Sequence, residues 1–212
     1  MKLVNDNLER KAYLRVKDMI LKKQLLPGHK IVQDKLAEDL GISRTPLRSA
    51  LQMLEAEYLL ESLPTKGVVV KKFTDREIVE IYDCRIALEG TAIRLFTTRS
   101  NPSKLRKLFE PFLPGDWTTI DNQAYRKADS QFHDYIISKC GNEFLRKLFH
   151  QGNLLVCINL IGLVRPPHET LPEHMEIIAA IEKKDADLAE KLAKEHLDIS
   201  KQLILQKMKS NE

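Results

Sequence analysis

At 212 residues the chain is long enough for one domain or two small ones, each with its own core. No run approaches the ~20 apolar residues of a membrane span, and the polar N-terminus is unlike a signal peptide. Cys84, Cys140 and Cys157 form neither a CxxC pair nor a disulfide framework, so a cytoplasmic protein without a membrane partner is expected. Of the 34 Lys and Arg and 30 Asp and Glu, residues 1–72 hold 14 and 9, so the positive excess lies toward the N-terminus, as attraction to phosphate requires.

Residues 9–25 carry an amphipathic helical pattern that ends before Pro27-Gly28. Residues 33–55, QDKLAEDLGISRTPLRSALQMLE, then read as two short helices broken at Gly41, a candidate left-handed C-cap. Leu36, Ala37 and Leu40 form the apolar side of the first. Ser43 is placed to cap the second, and Pro46 sits in its first turn, where a missing N–H costs no intrahelical bond. Leu47, Ala50, Leu51 and Leu54 face inward, which leaves Arg44, Thr45, Arg48 and Gln52 outward at or near the N-terminal end. That arrangement suits a helix docking its tip in a DNA major groove, although an ordinary helical hairpin with a solvated face has the same spacing. The context favours DNA: after the Pro64…Gly67 turn, Val68-Val69-Val70 reads as one arm of a two-stranded wing, with Lys66 and Gly67 at its tip.

The order helix, helix, recognition helix, wing is that of a winged helix-turn-helix. The residues Leu36-Ala37, Leu40-Gly41, Ser43-Arg44-Thr45-Pro46-Leu47-Arg48, Ala50-Leu51, Leu54-Glu55 and Gly67 with its trailing valines closely resemble the GntR family of bacterial transcription regulators. Ser49 departs from the family where it usually carries an acid, and Tyr58 where it often has glycine. Arg44 and Arg48 are the first candidates for base-edge or phosphate contacts, Thr45 and Lys35 for the DNA backbone, and Lys66 and Gly67 for the wing. One recognition helix reads only a few base pairs, so a homodimer on a palindromic double-stranded operator is expected.

Thr74-Asp75-Arg76-Glu77 has capping-box spacing and starts a new helix directly after the wing. The boundary therefore falls between a head, 1–72, and a helical metal-, effector-binding and dimerisation domain, 73–212. Six helical stretches are readable there: 75–98, 102–113, 121–139, 143–164, 172–183 and 186–208. Their punctuation is Asn101-Pro102, Pro114-Gly115, Gly141, a second capping-box spacing at Thr170 and Glu173, and Asp185. The expected fold is mainly α, a winged head followed by a bundle of about six helices.

Asp129 and His133, four apart, project from one helix face, and His174 and His196 lie on the fifth and sixth stretches. Imidazole and carboxylate are good ligands for a divalent first-row metal, although each histidine taken singly is an ordinary surface or interior residue. Asp129-x3-His133, Glu173-His174 with Ile178-x-Ala180-Ile181, Asp185 and the later His196 look like the FCD-type effector domain found behind GntR heads. The resemblance implies that Asp129, His133, His174 and His196 bind a metal within the bundle. Zn, Ni or Mn would suit such ligands, with positions left for water or a carboxylate. Arg85 stands in the matching Arg-x-x-Leu-Glu element and, with Tyr82, is expected to bind a small organic acid effector. An exposed ion pair with Glu89 is the other reading of Arg85, and a core position that of Tyr82. His168 reads as a loop residue. The whole is expected to be a ligand-responsive transcription regulator of repressor type and no enzyme. A metal-dependent hydrolase or lyase on the same cluster, and a regulator with a structural metal, are the alternatives.

Overall fold

The computed structural model describes residues 5–114 and 116–210, with backbone only for residues 5–7 and 117. The chain divides into two compact units, Met1–Lys72 and Phe73–Glu212.

The first unit begins with α1 (Asn5–Leu21), α2 (Gln33–Leu40) and α3 (Arg44–Ala56). Ala12, Val16 and Ile20 recur every four residues on α1 and are buried, as are Leu47, Ala50, Leu51 and Leu54 on α3. α2 ends at Gly41 in the left-handed conformation, φ 64°, with its N–H on the Glu38 carbonyl. Ser43 occupies the N-cap position of α3, but its side chain makes no cap bond, unlike the expectation. Two antiparallel strands follow, β1 (Leu60–Leu63) and β2 (Gly67–Val70), in a register that pairs Leu60 with Val70 and Leu63 with Gly67. The turn between them closes through Gly67 at φ 72°. Ile31 N–H donates to the Val68 carbonyl and Gly28 N–H to that of Val70, both at 2.8 Å, so residues 28–31 lie along the free edge of β2.

The second unit holds seven α-helices among the described residues: α4 (Asp75–Arg99), α5 (Ser103–Phe109), α6 (Asn122–Lys139), α7 (Glu143–Gln151), α8 (Leu154–Ile161), α9 (Pro167–Glu182) and α10 (Ala186–Ser210). The stretch expected as one helix over 143–164 is two, because Asn153 takes a left-handed conformation, φ 49°, after Gly152. α9 starts at Pro167 rather than near 172. Pro167 at the first helical position has no N–H to satisfy, and Pro167, Thr170 and Leu171 are buried in the helix that follows. Thr170 and Glu173 consequently sit inside α9 and form no capping box. The expected boxes and caps at Thr74/Glu77 and Asp185 are present: Thr74 and Glu77 bond reciprocally, and Asp185 accepts the Leu188 N–H at 3.0 Å. α5 ends in a 3₁₀ turn, Glu110–Phe112, that contains Pro111. Of the Pro114-Gly115 stop, Gly115 lies outside the described residues.

α4 and α10 run antiparallel along one another. Lys207 meets Asp75, Lys201 meets Asp83, and Arg94 meets both Asp187 and Glu190. The helices approach closely at Gly90, where a Cβ would lie 2.4 Å from Lys194 Cε and 2.9 Å from its Cγ. The apolar core comes from α4 (Ile93, Phe96), α5 (Leu105, Phe109), α6 (Phe132, Ile136, Ile137) and α9 (Ile177, Ile178, Ile181). No helix among the described residues is long and apolar enough to cross a membrane.

Candidate metal centre and nucleic-acid interface

In the first unit, Arg44, Thr45 and Arg48 are exposed on the opening turns of α3, with Lys35 exposed on α2 and Lys66 and Gly67 exposed at the wing turn. Arg44 Nε lies 2.6 Å from Asp34 Oδ1, and both side chains are about two-thirds exposed. Such a pair contributes only ~0–1 kcal/mol. Glu55, on the inner edge of α3, accepts the Ser62 N–H at 2.9 Å and so ties the helix to the wing.

In the second unit, Asp129 and His133 of α6, His174 of α9 and His196 of α10 each bring one ligand atom within 4.8 Å of the others. His174 Nε2 stands 3.4 Å and His133 Nε2 3.8 Å from Asp129 Oδ1. Ligands placed about 2.0–2.1 Å from one ion stand about 3 Å apart, so a small inward movement completes a coordination shell.

The outer nitrogens of His174 and His196 are hydrogen-bonded, and that of His133 lies against a carboxylate without an aligned hydrogen bond. His133 Nδ1 faces Glu89 Oε2 at 2.5 Å, His174 Nδ1 meets Tyr125 Oη at 3.0 Å, and His196 Nδ1 meets Glu173 Oε2 at 2.6 Å. Tyr125 is braced in turn by Thr170 at 2.9 Å, and Glu173 by Arg165 Nη1 at 2.7 Å. Partners on Nδ1 fix each ring and leave Nε2 as the donor, the arrangement that metal-ligating histidines use. His174 Nε2 is buried without a hydrogen-bond partner among the described residues. Left so, such a nitrogen costs ~1–3 kcal/mol.

Electrostatics favour the assignment at His174 and Asp129 and oppose it at His133, which must give up a proton to an ion. Burial, then the neighbouring His196, hold His174 well below the usual imidazole range, so it stays neutral; Phe109 stacks on its ring at 4.8 Å. Burial would raise the Asp129 carboxyl, but the nearby imidazoles, His133 foremost, hold it well below the usual carboxylate range. Burial pulls His133 down, but Glu89 and Asp129 outweigh it and raise it to about 9. Three imidazole nitrogens, one carboxylate oxygen and an orphaned nitrogen at their centre fit a divalent first-row ion.

Asp129, His133 and His196 also line a small cavity with Tyr82, Arg85 and Arg126. Its volume is only about 30 Å³, so an organic acid would enter it only with outward movement of the lining side chains. Arg85 does pair with Glu89, at 2.5 Å, but the pair is buried rather than exposed, at 3% and 2% of the side chains. The weak surface-pair reading therefore does not apply. Arg85 Nη2 has no hydrogen-bond partner among the described residues, and the guanidinium lies 5.3 Å from the Tyr82 ring centroid. Tyr82 is buried, 4% exposed, and serves both the core and the cavity wall. His168 is not a loop residue: it stands on the first turn of α9, half-exposed beside Glu169 and apart from the four clustered residues.

Glu89, Tyr125, Glu173 and Arg165 were not legible as partners of the cluster. Tyr125 precedes Asp129 by four and His133 by eight, a helical spacing that could have marked it; Arg165, in the α8–α9 connection, carries no such signal.

Residues 8–70 match the bacterial regulatory proteins of the gntR family, and residues 80–199 match the FCD domain. The HTH-type transcriptional regulator YdhC of Bacillus subtilis (strain 168) is 26% identical over 193 residues, covering 88% of this chain and 86% of that protein. The gluconate operon transcriptional repressor of Bacillus licheniformis is 27% identical over 182 residues, covering 81% of this chain and 74% of that protein. A GntR transcriptional regulator from Rhodococcus sp. RHA1 shares the fold with a TM-score of 0.77 at 22% identity, over 93% of this chain and 97% of that one. The chain thus belongs to the GntR family of bacterial regulatory proteins, as a DNA-binding transcription regulator with an FCD domain and not as a hydrolase or lyase built on the same Asp/His cluster.

Proposed function

We propose that this regulator senses a small organic acid beside a metal held by Asp129, His133, His174 and His196, and that acid binding changes its affinity for an operator, as a repressor. One observation carries this reading: three of those four residues line the same cavity as Arg85 Nη2, a buried donor without a partner. Around the cluster, the carboxylates of Asp129, Glu89 and Glu173 face the guanidiniums of Arg85 and Arg165. A divalent ion among them leaves one positive charge, and Arg126 on the same cavity adds a second, an excess that a ligand carboxylate reduces. When bound, Zn, Ni or Mn supplies a Lewis acid with positions left over by four protein ligands. Arg85 offers Nη2 to the acid and Tyr82 orients Arg85 through its ring face. A purely structural ion would not call for an unpaired buried donor in a cavity that its ligands line. One relative is named as the transcriptional repressor of a gluconate operon, and gluconate is a carboxylate, which fits a ligand of this class.

In the head, Arg44 and Arg48 reach base edges or phosphates, Thr45 and Lys35 the DNA backbone, and Lys66 and Gly67 the groove beside the wing. The exposed Asp34–Arg44 pair is weak enough for a phosphate to displace. Two heads of a cytoplasmic homodimer read a palindrome, and an acid that favours one arrangement of the heads must alter DNA affinity.

The test uses metal-loaded protein and DNA from upstream of its own gene, titrated with lactate, malate, citrate and gluconate. Binding specific to that DNA, changed by one acid and made indifferent to it by His174→Ala, is expected. Specific binding that no acid changes would reject the sensor in favour of a structural ion. Equal losses on this DNA and on random DNA for Arg48→Ala would assign Arg48 to phosphate, whereas a loss of ~1–3 kcal/mol on the specific site alone marks a base contact.

A further inference from the structure

We propose that Arg126 makes the cavity selective for acids with a second carboxylate, so that the effector is a dicarboxylic rather than a monocarboxylic acid. This rests on reading the cavity as the acid site. Residues 73–212 contain eight arginines. Seven of them are engaged: six by carboxylates and Arg99 by the Gly141 carbonyl. Arg126 lines the cavity half-buried and has no hydrogen bond or ion pair among the described residues.

The reason lies in the cluster. Arg126 and Asp129 stand three apart on α6, a spacing at which opposite charges ordinarily pair. Asp129 is instead turned toward His133 and His174. Arg126 is thereby left without a carboxylate partner among the described residues, on the cavity that Arg85 also lines. A guanidinium so placed is a ready partner for an anion entering the cavity. Arg85 is 3% exposed and lies deep, next to the ligands, whereas the greater exposure of Arg126 places it toward the rim. One carboxylate is received at the floor by Arg85 and the ion; a second, farther along the same molecule, meets Arg126, whose planar fork accepts it bidentately.

The experiment is calorimetric titration of the metal-loaded full chain with malate and with 2-hydroxybutyrate. Both are four-carbon 2-hydroxy acids, and they differ in the second carboxylate. Malate is expected to bind at least about tenfold more tightly, the worth of one charge-assisted pair. Arg126→Gln should abolish that preference while leaving metal content and 2-hydroxybutyrate affinity unchanged, and Arg126→Lys should restore part of it. Equal affinity of the two acids for the unmodified protein, or a malate preference that survives Arg126→Gln, would overturn the assignment. Failure of both acids to bind at all would remove the acid-site reading on which it rests, a result distinct from loss of selectivity.

Discussion

At the scale of single residues the centre depends on atoms that never face it. The rings of His174 and His196 are aimed by hydrogen bonds on the far nitrogen and His133 by the Glu89 carboxylate against its Nδ1, so Tyr125, Glu173 and Glu89 decide where the three Nε2 atoms point. Tyr125→Phe isolates this effect, because the ring keeps its contacts with Phe109 and Phe112 and only the hydroxyl is lost. Metal affinity, measured by competition with a chelator, should fall by about tenfold or more, with little change in melting temperature. Unchanged affinity would show that the hydroxyl does not orient His174. The four central residues were legible because the resemblance to the FCD-type domain assigned them together; Asp and His four apart on a helix are common and would not have marked them alone. Their tethers were not. Which side chain meets Nδ1 depends on how α4, α6, α9 and α10 are rotated against one another, and that rotation is set by core packing spread over all of them. Arg165 was the least legible, since residues 162–166 have no periodicity from which a direction follows.

At the scale of elements, local chemistry explains both what could be read and what could not. Gly41 and the Thr74/Glu77 box are short-range signals, and they end and begin helices where the spacing places them. The break inside 143–164 has a weaker sign: Asn153 adopts the left-handed region without being glycine, and the apolar run on either side masks the interruption. Tyr58 shows the same conformation in the head, φ 59°, at the exposed turn between α3 and the wing. A β-carbon there is strained, which makes sense of glycine at this position in the resembling family. Tyr58→Gly should therefore raise the stability of the protein by about 1 kcal/mol, read from urea unfolding. A loss of stability would mean that the exposed ring makes contacts outweighing the strain. Gly90 is the converse case, a glycine kept by space: its Cβ would meet the Lys194 stem, and only a shift of α10 or of that side chain would accommodate it. Its place at the crossing of the two longest helices was not visible, because antiparallel pairing of α4 with α10 is a tertiary fact.

At the scale of the molecule, two compact units carry two different chemistries: a basic, exposed tip on α3 with its wing, and a buried N₃O cluster opening into a donor-lined cavity. The central claim is that these are linked, and linkage is reciprocal: whatever factor an acid imposes on DNA affinity, DNA must impose on acid affinity. The most direct measurement is therefore the acid's Kd on the metal-loaded protein, free and saturated with operator DNA, set beside the operator's Kd with and without that acid. The two ratios should agree and lie between about fivefold and 150-fold. An acid that binds the cluster with the same Kd on and off DNA would contradict the account, leaving a DNA-binding protein whose cavity does not report to its head.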